Sequence, residues 1–162
     1  MSLEKEHAEI WNYLKEIRVG MLTTSENDIM HSRPMYLVQD FYEGVIWLFA
    51  DKEGYKISEI KSNPHVNLNF VSLEEGHYLT LSGIATLREG GSEFEKLWSD
   101  SVKVWFSDSD NPKNKAVLIR IEVDQAEVWD TSKGVLKKAF EYAKAKVTNS
   151  KPDLGKNKVV EQ

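Results

Sequence analysis

The chain has 162 residues, 41% of them hydrophobic and 29% charged, a size and balance that suit one soluble domain. Its net charge of −5 argues against a general nucleic-acid binder, and no apolar run approaches the roughly 20 residues of a membrane span. The absence of Cys excludes disulfides, iron–sulfur clusters, zinc knuckles and thiol nucleophiles together; residues 1–6 are acidic and lead no apolar segment, so no signal peptide is read and a cytoplasmic location is expected.

Ile10, Trp11, Leu14 and Ile17 recur at helical spacing and predict a helix over residues 4–17. The period then changes. Residues 19–24 read as a strand, and Glu26-Asn27-Asp28 as a turn. A second strand over 30–39 contains Pro34, which lacks a ladder donor and so belongs at an edge, a bulge or a strand end. After a polar turn, residues 45–50 are apolar throughout, the pattern of a strand buried on both faces. Asp51-Lys52-Glu53-Gly54 leads into a short helix over 55–61, which Asn63-Pro64 stops.

His65–Ser72 alternates Val66, Leu68 and Phe70 with Asn67 and Asn69, as a half-buried strand does. His77–Arg88 reads as a long strand whose interior Gly83 marks a bulge or bend. A helix is expected over 93–98, no clear period over 102–106, a loop over 108–114, a long final strand over 116–129 and a terminal helix over 135–147. From Lys133 onward eight Lys stand against Glu141, Asp153 and Glu161. That excess reads as a solvated face and a frayed end, or as an arm drawn to a partner's acidic body or a membrane surface. The expected division is a domain over 1–147 and a flexible Lys-containing tail over 148–162. About six strands joined by short turns imply hairpins, an antiparallel sheet and a small closed barrel with flanking helices.

Chemistry is sparse. The sequence lacks the Gly-rich phosphate loops, the nucleophile elbow and the His-Glu-x-x-His pair, and His7, His31, His65 and His77 stand apart from one another, so no metal site is read. Two cations stand out at strand ends. Arg33 lies inside the second predicted strand, and Lys56 opens the short helix after the apolar third strand. An Arg fork, a Lys charge and free N–H groups at a helix start make a phosphate site. The same two residues also read as surface cations, each paired with a nearby acid.

Over the runs His31-Ser32-Arg33-Pro34-Met35, Trp47-Leu48-Phe49-Ala50-Asp51 and Lys56 through Leu68, the sequence resembles the flavin-binding split β-barrels. These are the pyridoxamine 5′-phosphate oxidase-like proteins, and within them the general stress protein 26 group. The likeness continues through Leu79–Ala85, Val104-Trp105-Phe106, Asp110-Asn111-Pro112 and Glu127-Val128-Trp129-Asp130. It implies a six-stranded antiparallel split barrel with Greek-key elements. It further implies a homodimer with flavin at the interface, the cofactor being FMN, with FAD as the variant.

By that resemblance Arg33 and Lys56 hold the FMN phosphate, with Ser32 and Pro34 beside them. Met35 packs near the ring, the backbone of Phe49, Ala50 and Asp51 runs along it, and Trp105 approaches from the other subunit. Two departures are visible. Ala50 and Gly54 stand where the family often carries hydroxyl side chains, and the Arg-rich substrate segment of the true oxidases is replaced by a Lys-rich end. The expected function is therefore a flavin-dependent oxidoreductase of the stress-protein type on a small substrate, without pyridoxamine 5′-phosphate oxidase activity. The alternatives are a non-catalytic flavin carrier and, more weakly, a haem-binding split barrel.

Overall fold

The computed structural model describes residues 2–131 and 156–161. Helix α1 spans Leu3–Ile17, starting with Glu4 and Glu6 in its first turn, where carboxylates suit the helix dipole. It buries Ile10 and Leu14 completely. The strands are β1 (Val19–Glu26), β2 (Ile29–Tyr36), β3 (Val45–Asp51), β4 (His65–Ser72), β5 (His77–Arg88), β6 (Ala116–Asp130) and β7 (Lys156–Glu161). Helix α2 (Tyr55–Ser62) follows β3, and the short helices α3 (Ser92–Leu97), α4 (Asp100–Val104) and α5 (Pro112–Lys115) connect β5 to β6.

All the pairings are antiparallel, in the order β2-β1-β4-β5-β6-β3, with β7 added to β6. The fold is mainly β with flanking helices, as expected, but the sheet has seven strands instead of six and its ladder does not close. The ends of the path meet just beyond β2, where Val38 N–H donates to Trp47 O over 3.4 Å. Gln39, only 2% exposed, ties the same corner together. Its amide donates to Phe41 O and Val45 O and accepts from Trp47 N–H at 2.7–2.8 Å.

Pro34 lies in β2, the edge strand of the path, where its missing donor costs no ladder bond to a further strand. β3 is covered on both faces, as expected, but unequally. Ile46, Leu48 and Ala50 enter the main core, whereas Trp47 and Phe49 are half-buried beneath a second cluster of Phe94, Val102, Phe106 and Leu118. The apolar run thus serves two cores, one inside the sheet and one under α3 and α4. The region 102–106, unreadable by period, forms α4 and the turn after it; Ser99 Oγ caps it by accepting Val102 N–H.

The expected flexible tail needs correction at its end. Residues 156–161 pair with β6 from Gln125 to Asp130, and Val160 is 5% exposed within the main core. Val159 and Val160 supply the strand propensity, and the half of β6 that β3 leaves uncovered supplies the open edge. The expected helix over 135–147 lies outside the described residues. Among those residues, no helix is long and apolar enough to cross a membrane.

Gly83 sits where the β5–β6 register shifts, as its place in the sequence suggested. A β-carbon there would come within 2.0 Å of Glu122 O, a backbone atom that cannot turn aside. Gly83→Ala is therefore expected to destabilise the protein by about 2–3 kcal/mol and lower Tm by roughly 4–12 °C. A melting curve that moves by less than about 1 °C would refute this reading of the bulge.

Candidate functional site

Most of the sequence-predicted residues come together along one cleft. It has a volume of about 740 Å³ and is lined by Pro34, Met35 and Tyr36 of β2, Phe49, Ala50 and Asp51 of β3, Lys56 of α2, and Trp105 and Phe106 after α4. Met35 and Ala50 belong to the main core, so the cleft wall is rigid there. Phe49 is fixed edge-on against Phe94 and Trp98, with centroids 5.0 and 5.4 Å away. Trp105 is 78% exposed. It lines the same cleft as Met35 and Lys56.

Lys56 owes its position to the turn before α2. Gly54 N–H donates to Asp51 O at 3.0 Å, and Ile57 N–H to Gly54 O at 2.9 Å. The N–H groups of Tyr55 and Lys56, first in the helix, have no intrahelical acceptor. A β-carbon at Gly54 would come 3.2 Å from Asp51 O and 3.5 Å from Lys56 Nζ, so glycine leaves room around the ammonium. Among the described residues, Lys56 makes no side-chain hydrogen bond or ion pair. Burial, and then the charge of Arg33, lower its pKa from the usual lysine value.

Arg33 is placed differently from expectation. It does not line the cleft, because its guanidinium turns under β1. Nη1 donates to Thr24 Oγ1 at 2.5 Å and Nη2 to Glu59 Oε2 at 2.8 Å. Glu59, on α2 one turn after Lys56, is 4% exposed. It also accepts from Thr24 Oγ1 and pairs with His31 Nδ1 at 2.5 Å. Desolvation works against its charge. The hydrogen bonds from Thr24, His31 and Arg33, aided by the Arg33 charge, outweigh that and hold the carboxyl below its usual range.

Arg33 is thus a cation paired with an acid, as one of the two expectations had it, whereas Lys56 has no such pairing among the described residues. Ser32 also lies beyond the cleft lining, its Oγ 2.6 Å from Thr23 Oγ1 on the exposed sheet face. Sequence reasoning missed Glu59. The signal was present, since Glu59 stands between Ile57 and Ile60, on the side of α2 that those apolar residues bury. No group of three or more His, Cys, Asp or Glu able to hold a metal occurs among the described residues.

The arrangement is a curled antiparallel sheet with an apolar, aromatic cleft at one edge and, at a helix start, a cation unpaired among the described residues. A family model described as pyridoxamine 5′-phosphate oxidase like matches residues 5–153, and the chain belongs to that family. It is 30% identical over 118 residues to general stress protein 26 of Bacillus subtilis (strain 168), covering 70% of this chain and 81% of that protein. Its fold is similar to a structure assigned to general stress protein 26 from Jannaschia sp. CCS1, with TM-score 0.71, 24% identity and 98% and 99% of the two chains covered. It is also similar in fold to the general stress FMN/FAD binding protein of Xanthomonas citri, with TM-score 0.69, 22% identity and coverage of 82% and 93%.

Proposed function

We propose that the protein binds FMN in this cleft and acts as a flavin-dependent oxidoreductase of the general stress type on a small substrate. The carrying observation is Lys56, a half-buried cation without a partner among the described residues, at the open end of a helix and facing an apolar wall of Met35, Phe49 and Ala50. These residues fit a flat ring with a phosphate at one end. The phosphate would be held by Lys56 Nζ and by the N–H groups that open α2, and Gly54 keeps that approach clear. Arg33 would raise the local positive potential from behind α2 rather than grip the phosphate. The FMN/FAD binding of the Xanthomonas citri fold neighbour supports the choice of ligand.

A bound flavin supplies hydride and electron transfer. The chain's own contribution is to orient the ring on β3 and to exclude water with the Phe49, Phe94 and Trp98 cluster. The reading takes the protein as a cytoplasmic homodimer. The exposed apolar residues Met21 and Val19 on β1, Met30 and Tyr36 on β2 and Val71 on β4 supply a surface for a second copy.

Titration of the purified protein with FMN is expected to shift the flavin absorbance and raise Tm; failure of both would overturn the proposal. Repeated cycles of NAD(P)H reduction and reoxidation are expected for an oxidoreductase. Reduction that stops after one equivalent would leave flavin binding and replace turnover by a carrier role.

A further inference from the structure

The flavin reading uses Lys56 and the apolar wall, and it leaves Arg18, Phe41, Lys96 and Trp105 of the same cleft without a role. Arg18 caps α1 at φ 59°, a conformation unfavourable for a residue with a β-carbon. The backbone there is pinned by Arg18 N–H to Leu14 O and Leu37 N–H to Arg18 O, each 2.9 Å. So held, the guanidinium lies 5.2 Å over the Trp11 ring, donates to Gln39 O at 2.6 Å and meets Asp40 at 3.3 Å. The Asp40 side chain is 93% exposed, so this pair is solvent-facing and easily exchanged for another anion. Lys96 Nζ stands 5.8 Å over the Phe41 ring and makes no ion pair among the described residues.

The charge of the cleft is opposite to that of the chain. Arg18, Lys56 and Lys96 line it against Asp40 and Asp51, on a protein of net charge −5. Lys115 is shared between Asp51 at 3.5 Å and Asp108 at 3.0 Å. Once Lys56 is given to the flavin phosphate, Arg18 and Lys96 face Asp40 and Asp51 in equal number, so an anion is drawn by the two cations themselves and not by the net charge of the cleft. Phe41 and Trp105, 49% and 78% exposed, line the same cleft, and the Phe41 ring lies 5.8 Å from Lys96 Nζ.

We propose that the substrate is a small planar anion, a conjugated carboxylate, held by Lys96 and Arg18 with its ring against Phe41 or Trp105. The inference builds on the flavin reading, since it names what the cleft takes beside the cofactor. Its contacts are with Lys96 and Arg18, and Lys56 is left to the flavin phosphate.

The test uses benzoate as the anionic probe and benzamide as its neutral counterpart, by calorimetry on the full chain with and without added FMN. Benzoate is expected to bind at least about tenfold more tightly than benzamide. Lys96→Gln, at an exposed position that the fold does not need, should cut that preference about three- to tenfold and leave FMN affinity unchanged. Arg18→Gln serves as the second variant, with its circular dichroism checked against wild type. Equal binding of the two probes by wild type, or a preference that survives in both folded variants, overturns the anion site. A protein that prefers benzoate but does not bind FMN upholds the site and overturns the flavin reading alone; FMN binding without the preference does the reverse.

Discussion

Glu59→Ala is expected to cost about 3–5 kcal/mol of folding stability, the range for removing one partner of a buried ion pair. The carboxylate is nearly inaccessible and is met by Thr24, His31 and Arg33, so one truncation strands donors from β1 and β2 at once. Arg33, with 20% of its side chain exposed, recovers some water, which places the cost nearer the lower figure. In Tm this is roughly 6–12 °C for a domain of this size. Glu59→Gln keeps the shape and loses the charge, and should cost less.

The pH dependence separates the charge from the packing. The folded carboxyl titrates below its usual range, so its contribution is fully present above the unfolded carboxyl's pKa and is lost as pH falls through the lower folded value. Wild-type Tm should therefore fall more steeply than that of Glu59→Gln between about pH 5 and pH 3. Parallel acid curves for the two proteins would show that Glu59 acts by packing alone.

Lys56→Ala is expected to weaken FMN binding by about 10- to 100-fold, the worth of a charge-assisted hydrogen bond. Riboflavin, which has no phosphate, should bind wild type more weakly and lose less than about threefold on the same substitution. Equal losses for the two flavins would mean that Lys56 shapes the cleft instead of holding the phosphate. Mixing subunits tests the placement of Trp105. Lys56 and Trp105 line one cleft of one chain, so heterodimers of Lys56→Ala with Trp105→Ala should carry one defect in each site and recover no affinity. Recovery of a site with wild-type affinity would show that Trp105 serves the cleft of the partner.

Most strands were legible because their burial is one-sided and their turns are polar. β4 and β5 are read from the sequence to the residue, since Val66, Leu68 and Phe70 alternate cleanly and Gly76 ends the turn between them. β7 was not legible. It is a short segment in a Lys-rich stretch, and its stability comes from an edge of β6 that only the folded sheet presents. The dual burial of β3 was half legible, for an apolar run shows that both faces are covered but not that a separate cluster covers one of them.

At the candidate site, the residue types were visible and their pairing was not. Arg33 and Lys56 look equivalent as cations near strand and helix ends. The difference depends on Thr24, a residue of ordinary appearance that completes a buried pocket for Glu59 and draws the Arg33 fork away from the cleft. Trp105 shows the same limit. Val102 and Phe106 are buried whereas Val104 and Trp105 are exposed, a division set by the turn at the end of α4 and not by residue type.

The contact between Glu9 on α1 and Lys158 on β7, at 2.9 Å, bears on biosynthesis. The two residues are 149 positions apart, so at about 5–20 residues per second the ribosome makes the second roughly 7–30 seconds after the first. During that interval β6, once made, has an open edge at Gln125–Asp130, and Glu9 lacks its lysine. The nascent sheet is therefore left with an unpaired strand until β7 emerges, which is the period when a chaperone or a second nascent copy would have access to it.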